Sequence, residues 1–219
     1  MVTRIVLFLI ILIVGISVAV FLNTKDYGPD ELKVYQPKDV NPELKDNTIN
    51  YNEKNHRIGQ FAFLDQEGDT ITKKDVEGKI YVADYFFTTC PTICPKMTAQ
   101  LERVQEKYKD DPEILILSHT VHPENDTVEV MARYAQRHGA ISKKWYFLTG
   151  EKEELYRLAR QSYFVLKPAE VGEPGDAGSD FIHTNNFVLI DQKGRIRGYY
   201  DGTSPTEVDK LMEDIQKLK

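Results

Sequence analysis

From residue 60 to the carboxyl end, short apolar runs of strand length alternate with longer stretches of helical spacing, and that alternation limits the chain to an α/β fold. Residues 60–64 and 70–72 flank Asp65-Gln-Glu-Gly-Asp69, a turn signal that predicts a hairpin. Residues 79–87 form a β-branched and aromatic run suited to a buried strand, and 113–117 and 145–148 read the same way. Met97, Leu101, Val104 and Tyr108 recur at helical spacing over 94–108. Residues 126–138 read as a second helix with Asp126 placed to cap it, and 151–163 as a third. Residues 186–191 and 195–200 flank Gln192-Lys-Gly194 as a hairpin, and 207–218 form a closing amphipathic helix. Helices between strands predict right-handed crossovers and parallel pairing at the centre. The last hairpin adds antiparallel pairing, so the expected sheet is mixed.

The amino terminus carries a different signal. Residues 5–22 are 18 residues without a charge, interrupted only by Gly15 and Ser17. As a helix they would span about 27 Å, close to the hydrocarbon thickness of a bilayer. A cleaved signal peptide is the rival reading, but its apolar region is shorter and ends in small residues suited to cleavage. This run ends Val18-Ala-Val-Phe-Leu22. A retained membrane anchor over 1–23 is therefore expected, making a single-pass protein whose remaining chain lies on the extracytoplasmic, periplasmic side. Thiols can oxidise there. Residues 24–55 contain Pro29, Pro37 and Pro42 with many Asp, Asn and Lys, and read as an extracytoplasmic tether with a possible short strand over 32–35. Residues 56–219 then form one domain.

The net charge is -6 and Lys and Arg are scattered, which argues against nucleic acid as a partner. The chain has only two cysteines. Cys90 follows the buried strand of 79–87, and Cys94 falls in the first turn of the next helix. This carboxyl edge is where open α/β sheets bind ligands. The i, i+4 spacing puts both thiols on one side of a helix, where they can hold one ion or close a disulfide. The helix amino end favours negative charge and predicts lowered thiol pKa values. Pro91 and Pro95 are tolerated at a helix start. An inert staple across so short a loop would stabilise little.

Two thiolates leave a metal site incomplete. His183, just before the apolar strand of 187–190, is the candidate third ligand, although a lone His at a strand start also has a plain structural reading. Two thiolates and one imidazole suit Cu(I), Cu(II) or Zn, with copper first, and do not suit Mg or Ca. His119 and His122 are expected in a surface loop. His56 and His138 are expected to be solvated or capping. Asp84 lies inside the buried strand and reads either as an acid supporting the site or as an edge residue.

These residues resemble the Sco/SenC family, the copper-delivery proteins for the CuA centre of cytochrome c oxidase, over about 57–219. Phe86-Phe-Thr-Thr-Cys-Pro-Thr-Ile-Cys-Pro95 resembles the family's Cys-Pro-x-x-Cys-Pro motif. Ser118-His-Thr-Val-His-Pro-Glu-Asn-Asp-Thr127 resembles its Ser-Val-Asp-Pro-x-x-Asp-Thr loop, either with His122 standing where the loop Asp is or with the loop one residue longer. Trp145-Tyr-Phe-Leu-Thr-Gly150 matches its Trp…Leu-Thr-Gly. Asp180-Phe-Ile-His-Thr184 resembles the segment holding the ligand histidine, with Ile182 where the family often has Asp. The resemblance implies a thioredoxin-like three-layer sandwich with an added hairpin at the start, and copper held by Cys90, Cys94 and His183. It implies as partners an oxidase subunit carrying CuA and a copper donor or thiol reductant.

Thioredoxin-type exchange enzymes usually use Cys-x-x-Cys and a cis-Pro opposite it. The spacing is longer in this chain, and Ile182-His-Thr-Asn185 has no proline. The leading expectation is thus a membrane-anchored copper chaperone. The alternative is a thiol–disulfide oxidoreductase that uses Cys90 and Cys94 as a redox-active pair to reduce cysteines of the oxidase subunit. A peroxidase-like or redox-sensing domain ranks third.

Overall fold

The structure, a computed structural model, describes residues 31–168 and 181–219 together with Leu12, Val14 and Gly15; at Pro168 and 181–183 it describes the backbone. The chain divides into two units, Met1–Lys33 and Val34–Lys219, and the second carries every element named below. The anchor expected over 5–22 lies outside the described residues, apart from Leu12, Val14 and Gly15. Among the described residues, no helix is long and apolar enough to cross a membrane.

The turn-rich insert forms the expected hairpin of β1 (Ala62–Leu64) and β2 (Thr70–Thr72). Asp65 closes it, accepting from the N–H groups of Glu67 and Asp69, each at 2.9 Å. The next strand, β3 (Ile80–Phe86), is buried along its whole length. It is followed by α1 (Cys94–Tyr108), β4 (Ile114–Thr120), α2 (Val128–Arg137), β5 (Trp145–Leu148) and α3 (Lys152–Leu158). The short strands β6 (Leu166–Pro168) and β7 (Phe181–His183) pair with each other. The hairpin β8 (Asn186–Ile190) and β9 (Ile196–Asp201) precedes α4 (Pro205–Lys217).

The central sheet has the order β5-β4-β3-β8-β9. β3 runs parallel to β4 and β4 to β5, while β8 is antiparallel to both β3 and β9, so the sheet is mixed as expected. Strand alternation gives β3 two different faces. On one, Phe86 meets Tyr134 of α2 at a ring separation of 5.3 Å. On the other, the Tyr85 hydroxyl donates to the Leu155 carbonyl of α3 at 3.2 Å. Helices therefore cover both faces, the three-layer arrangement that a largely parallel, all-buried centre requires. The first hairpin joins the far edge, where Leu64 and Thr149 exchange backbone bonds at 2.9 Å.

Four local expectations need correction. β4 runs three residues beyond 117, taking in Ser118, His119 and Thr120. These polar residues stay in the strand because their side chains find buried partners: Ser118 Oγ donates to Asp84 at 2.5 Å and accepts from Trp145 Nε1 at 2.9 Å. Asp126 does not cap α2; Thr127 does, accepting from the Val130 N–H at 3.5 Å. The helix expected over 151–163 is α-helical only to Leu158. It continues as a π-helical turn, Ala159–Tyr163, and ends at Phe164 with φ 57°. Finally, residues 34–55 lie on the domain instead of trailing from it. The Tyr35 N–H donates to the Ile196 carbonyl at 2.9 Å, residues 32–35 form no strand, and two 3-10 turns, Pro37–Asp39 and Pro42–Leu44, follow them.

Candidate metal centre

β3 delivers the chain to the cysteine turn. The Cys90 N–H donates back to the Phe87 carbonyl at 3.2 Å. The N–H groups of Lys96 and Met97 both find the Ile93 carbonyl at 3.0 Å, which starts α1 with Pro95 in its first turn, where a missing N–H costs nothing. Cys94 is the first residue of that helix. Its N–H points at Cys90 Sγ at 3.4 Å, so the helix amino end holds the first thiol's sulfur. Both side chains are buried thiols in the described structure, Cys90 at 8% exposure and Cys94 at 0%.

Helix position was expected to lower the thiol pKa values. For Cys94 the opposite holds. Burial pushes its thiol well up from 9.0, and the bond to Cys90 and the nearby Asp84 carboxylate act in the same direction. The magnitudes decide this: a helix terminus supplies about 2 kcal/mol at best, roughly 1.5 pKa units, whereas full burial can shift a group by about 3–5 units. Burial thus holds Cys94 as the neutral thiol.

The turn is tied to the loop after β4. Thr88 donates its N–H to Asp126 at 3.2 Å and its hydroxyl to the other carboxylate oxygen. Thr120 Oγ1 donates to Asp126 at 2.6 Å, and Asn125 Nδ2 at 3.1 Å. Asp126 is fully buried and is the one supporting residue that the sequence reading put in a different role. The signal was its position in the loop motif, where, four residues earlier, the His122 N–H donates to Thr120 Oγ1 at 2.8 Å.

His183 enters through the backbone. β7 pairs Leu166 with His183 and Lys167 with Ile182. Three residues on, β8 starts, and its register puts Val188 opposite Ala83 and Ile190 opposite Tyr81. β8 therefore begins toward the carboxyl end of β3, the same edge that carries the cysteine turn. The orientation of the His183 side chain lies outside the described structure. Among the described residues, no three His, Cys, Asp or Glu side chains are grouped to hold a metal.

The other histidines divide. His119 is not in a surface loop: it is fully buried in β4, stacked on Tyr85 at 4.9 Å and edge-on to Phe61 and Phe63. His122 is half-buried. His119 Nε2 and His122 Nδ1 are buried ring nitrogens without a hydrogen-bond partner among the described residues. His56, expected to be solvated, is buried with Nε2 at 2.9 Å from the Ser162 carbonyl. His138 ends α2, as read, and its Nδ1 meets Glu102 at 2.8 Å. Asp84 is an interior residue of the central strand, not an edge one.

The chemistry available is that of two soft sulfur donors on one strand-to-helix turn, with an imidazole-bearing strand leading to the same sheet edge. That set fits a soft or borderline cation and equally fits a dithiol–disulfide pair.

Known proteins bear on this arrangement. The SCO1/SenC family model matches residues 49–219. The SCO1 protein homolog of Bacillus subtilis is 30% identical over 164 residues, 74% of this chain and 82% of the relative. BsSco, whose structure is described as a Sco-family cytochrome c oxidase assembly protein with a disulfide switch, is 31% identical with a TM-score of 0.63, covering 75% of this chain and 94% of that one. Arabidopsis thaliana ScoI, solved with copper bound, is 25% identical with a TM-score of 0.57, covering 73% of this chain and 98% of that one. The thioredoxin-like α/β fold with a mixed central sheet is common to these structures and this chain.

Proposed function

The chain belongs to the SCO1/SenC family, and from that premise we propose that it is a copper carrier, holding the ion through Cys90, Cys94 and His183 and assisting assembly of the CuA centre of cytochrome c oxidase. One observation carries the reading: two buried thiols share the turn at the carboxyl end of β3, the edge toward which the backbone of His183 leads. Thiolates and imidazole suit copper in either oxidation state. Copper is cargo: it arrives from a donor and leaves for the oxidase subunit by ligand exchange. The apolar run of 5–22 supports a retained membrane anchor, with the domain on the periplasmic side.

The test is a Cu(I) titration of the reduced protein beside His183→Ala, followed by X-ray absorption. One copper per wild-type chain, with sulfur and imidazole scattering, is the expected result. A wild type that retains no copper, or a His variant that binds as tightly, overturns the ligand set.

A second reading has its own observation. Cys90 is the more exposed thiol, and the Cys94 N–H supports its sulfur at 3.4 Å. That polarity suits attack by Cys90 on a disulfide and resolution by Cys94, with the partner's cysteines leaving reduced. A Cys94→Ser variant would then trap a mixed disulfide with the oxidase subunit. Unchanged reduction of that subunit by Cys94→Ser counts against it.

A further inference from the structure

The strand that carries His183 is held from outside. β7 has one partner among the described strands, β6, in which Leu166 is registered with His183. Just beyond, the Thr184 N–H donates to the Val165 carbonyl at 3.1 Å. β6 itself leaves an irregular segment: the π-helical turn Ala159–Tyr163 and then Phe164 at φ 57°. A bulky residue in the left-handed region is strained by about 1–3 kcal/mol and persists only where its surroundings over-determine it. The π turn is a second departure from regular geometry, of a kind that concentrates at functional sites.

Residues 34–59 supply the over-determination. Arg160, inside the π turn, donates Nη1 to the Leu166 carbonyl at 3.0 Å and to the Glu43 carbonyl at 3.4 Å, and Nη2 to the Lys45 carbonyl. The Asp46 N–H returns a bond to the Arg160 carbonyl at 3.3 Å. His56 lies against the Phe164 ring at 4.7 Å and bonds the Ser162 carbonyl. The Gly59 N–H donates to Ser162 Oγ at 3.0 Å. One guanidinium thus joins the strap to the carbonyl of the residue registered with His183. A planar fork with five fixed donors is the side chain able to span three carbonyls at once.

We propose that Arg160 is a positioning residue for the metal site: by tying the strap at Glu43 and Lys45 to Leu166 it fixes the β6–β7 register and so the placement of His183. The inference rests on the reading of His183 as a ligand. Register carries the leverage, because a slip of one residue turns a strand residue to the opposite face. Without the fork, the strained turn can relax and β6 is free to shift. The strap is then part of the metal site, although it contributes no ligand.

The test is a double-mutant cycle on the full chain in its reduced state, reading Cu(I) affinity by competition with a chromophoric Cu(I) chelator, and the coordination shell by X-ray absorption. Arg160→Ala should weaken binding about ten- to hundredfold, the range typical of groups that orient a ligand, and should reduce imidazole scattering while leaving the sulfur shell intact. Combined with His183→Ala it should add nothing further. Arg160→Gln keeps two of the five N–H donors on a shorter side chain and should fall between wild type and Arg160→Ala. If His183→Ala leaves affinity unchanged, the ligand reading fails and this inference falls with it. If His183→Ala weakens binding but Arg160→Ala does not, or the two losses add, the inference alone is wrong. Loss of the folded state in both Arg160 variants would assign these contacts to global stability and equally overturn it.

Discussion

Thr88, in the turn that carries the cysteines, gives both its backbone N–H and its hydroxyl to the carboxylate of Asp126, a residue 38 positions away. With Thr120 and Asn125 on the same side chain, Asp126 joins the ends of β3 and β4 through a fully buried acid group. Replacing it by Ala strands several buried donors at once, each worth about 1–3 kcal/mol. Asp126→Ala should therefore lose about 3 kcal/mol in denaturant unfolding of the metal-free protein, and should weaken copper binding because the turn is released. Asp126→Asn keeps the shape and lets the threonine hydroxyls rotate, so a smaller loss is expected. A loss under about 1 kcal/mol for the Ala variant would mean the carboxylate does not hold the turn.

His119 is enclosed by Phe61, Phe63, Tyr85 and Tyr163, and burial pushes its pKa down from 6.5 to about 4. A histidine that stays neutral when folded and protonates when unfolded contributes stability above its unfolded pKa. That share is lost as pH falls from 6.5 toward 4, up to about 3 kcal/mol over the window. His56, also buried and lowered, adds in the same direction. The midpoint of urea unfolding should drop as the pH is lowered through this range. His119→Leu should flatten part of that slope. An equally steep acid limb in the variant would refute the assignment.

Ser118 is a relay between two buried groups, donating to Asp84 and accepting from the indole N–H of Trp145. Ser118→Ala leaves that indole without its acceptor in an interior where Trp145 is fully buried. The expected cost is about 2 kcal/mol, with a shift in the fluorescence of the chain's single tryptophan. A stability change near zero, with unaltered emission, would show that the indole has found another partner.

Elements whose cause is local were legible in the sequence. The helix Cys94–Tyr108 follows from the spacing of Met97, Leu101, Val104 and Tyr108 behind a proline-rich start. The largely apolar run of 79–87 sits at the sheet centre, and the turn signals at 65–69 and 192–194 lie between paired strands. What was misread depends on distant partners. Ser118, His119 and Thr120 look like a polar loop until Asp84, Trp145, the aromatic cage and Asp126 are brought to them. Asp126 stands where a helix cap would, but its oxygens are taken by Thr88 and Thr120, and Thr127 caps in its place. The polar, proline-bearing stretch before residue 56 reads as a spacer, because its ties to the domain run through its backbone groups, to the Ile196 and Arg160 carbonyls and from the Arg160 guanidinium, and leave no trace in side-chain periodicity. For the site, both cysteines share one turn as the spacing indicated, and the thiol acidity did not follow, since burial outweighs a helix terminus.

That inversion at Cys94 makes the last prediction. Burial holds its thiol protonated far above the usual range, so in the metal-free protein it is neutral and shielded near pH 7. The thiolate is the reactive form, so iodoacetamide should modify Cys90 first and leave Cys94 intact until the protein unfolds. On the proposed ligand set, copper binding expels the Cys94 proton, so apparent affinity should rise with pH, by up to about tenfold per unit for that proton. The effect on folding has the opposite sign. The folded thiol keeps its proton to higher pH than the unfolded one at 9.0, so its contribution is complete below about pH 9 and is lost as pH rises toward the raised value. The reduced, metal-free protein should therefore weaken on the alkaline side, and Cys94→Ala should remove that thiol's share. Equal labelling rates for the two cysteines in the native protein, or a Cu(I) affinity that does not change between about pH 6 and 8, would show that Cys94 is ionised before the metal arrives.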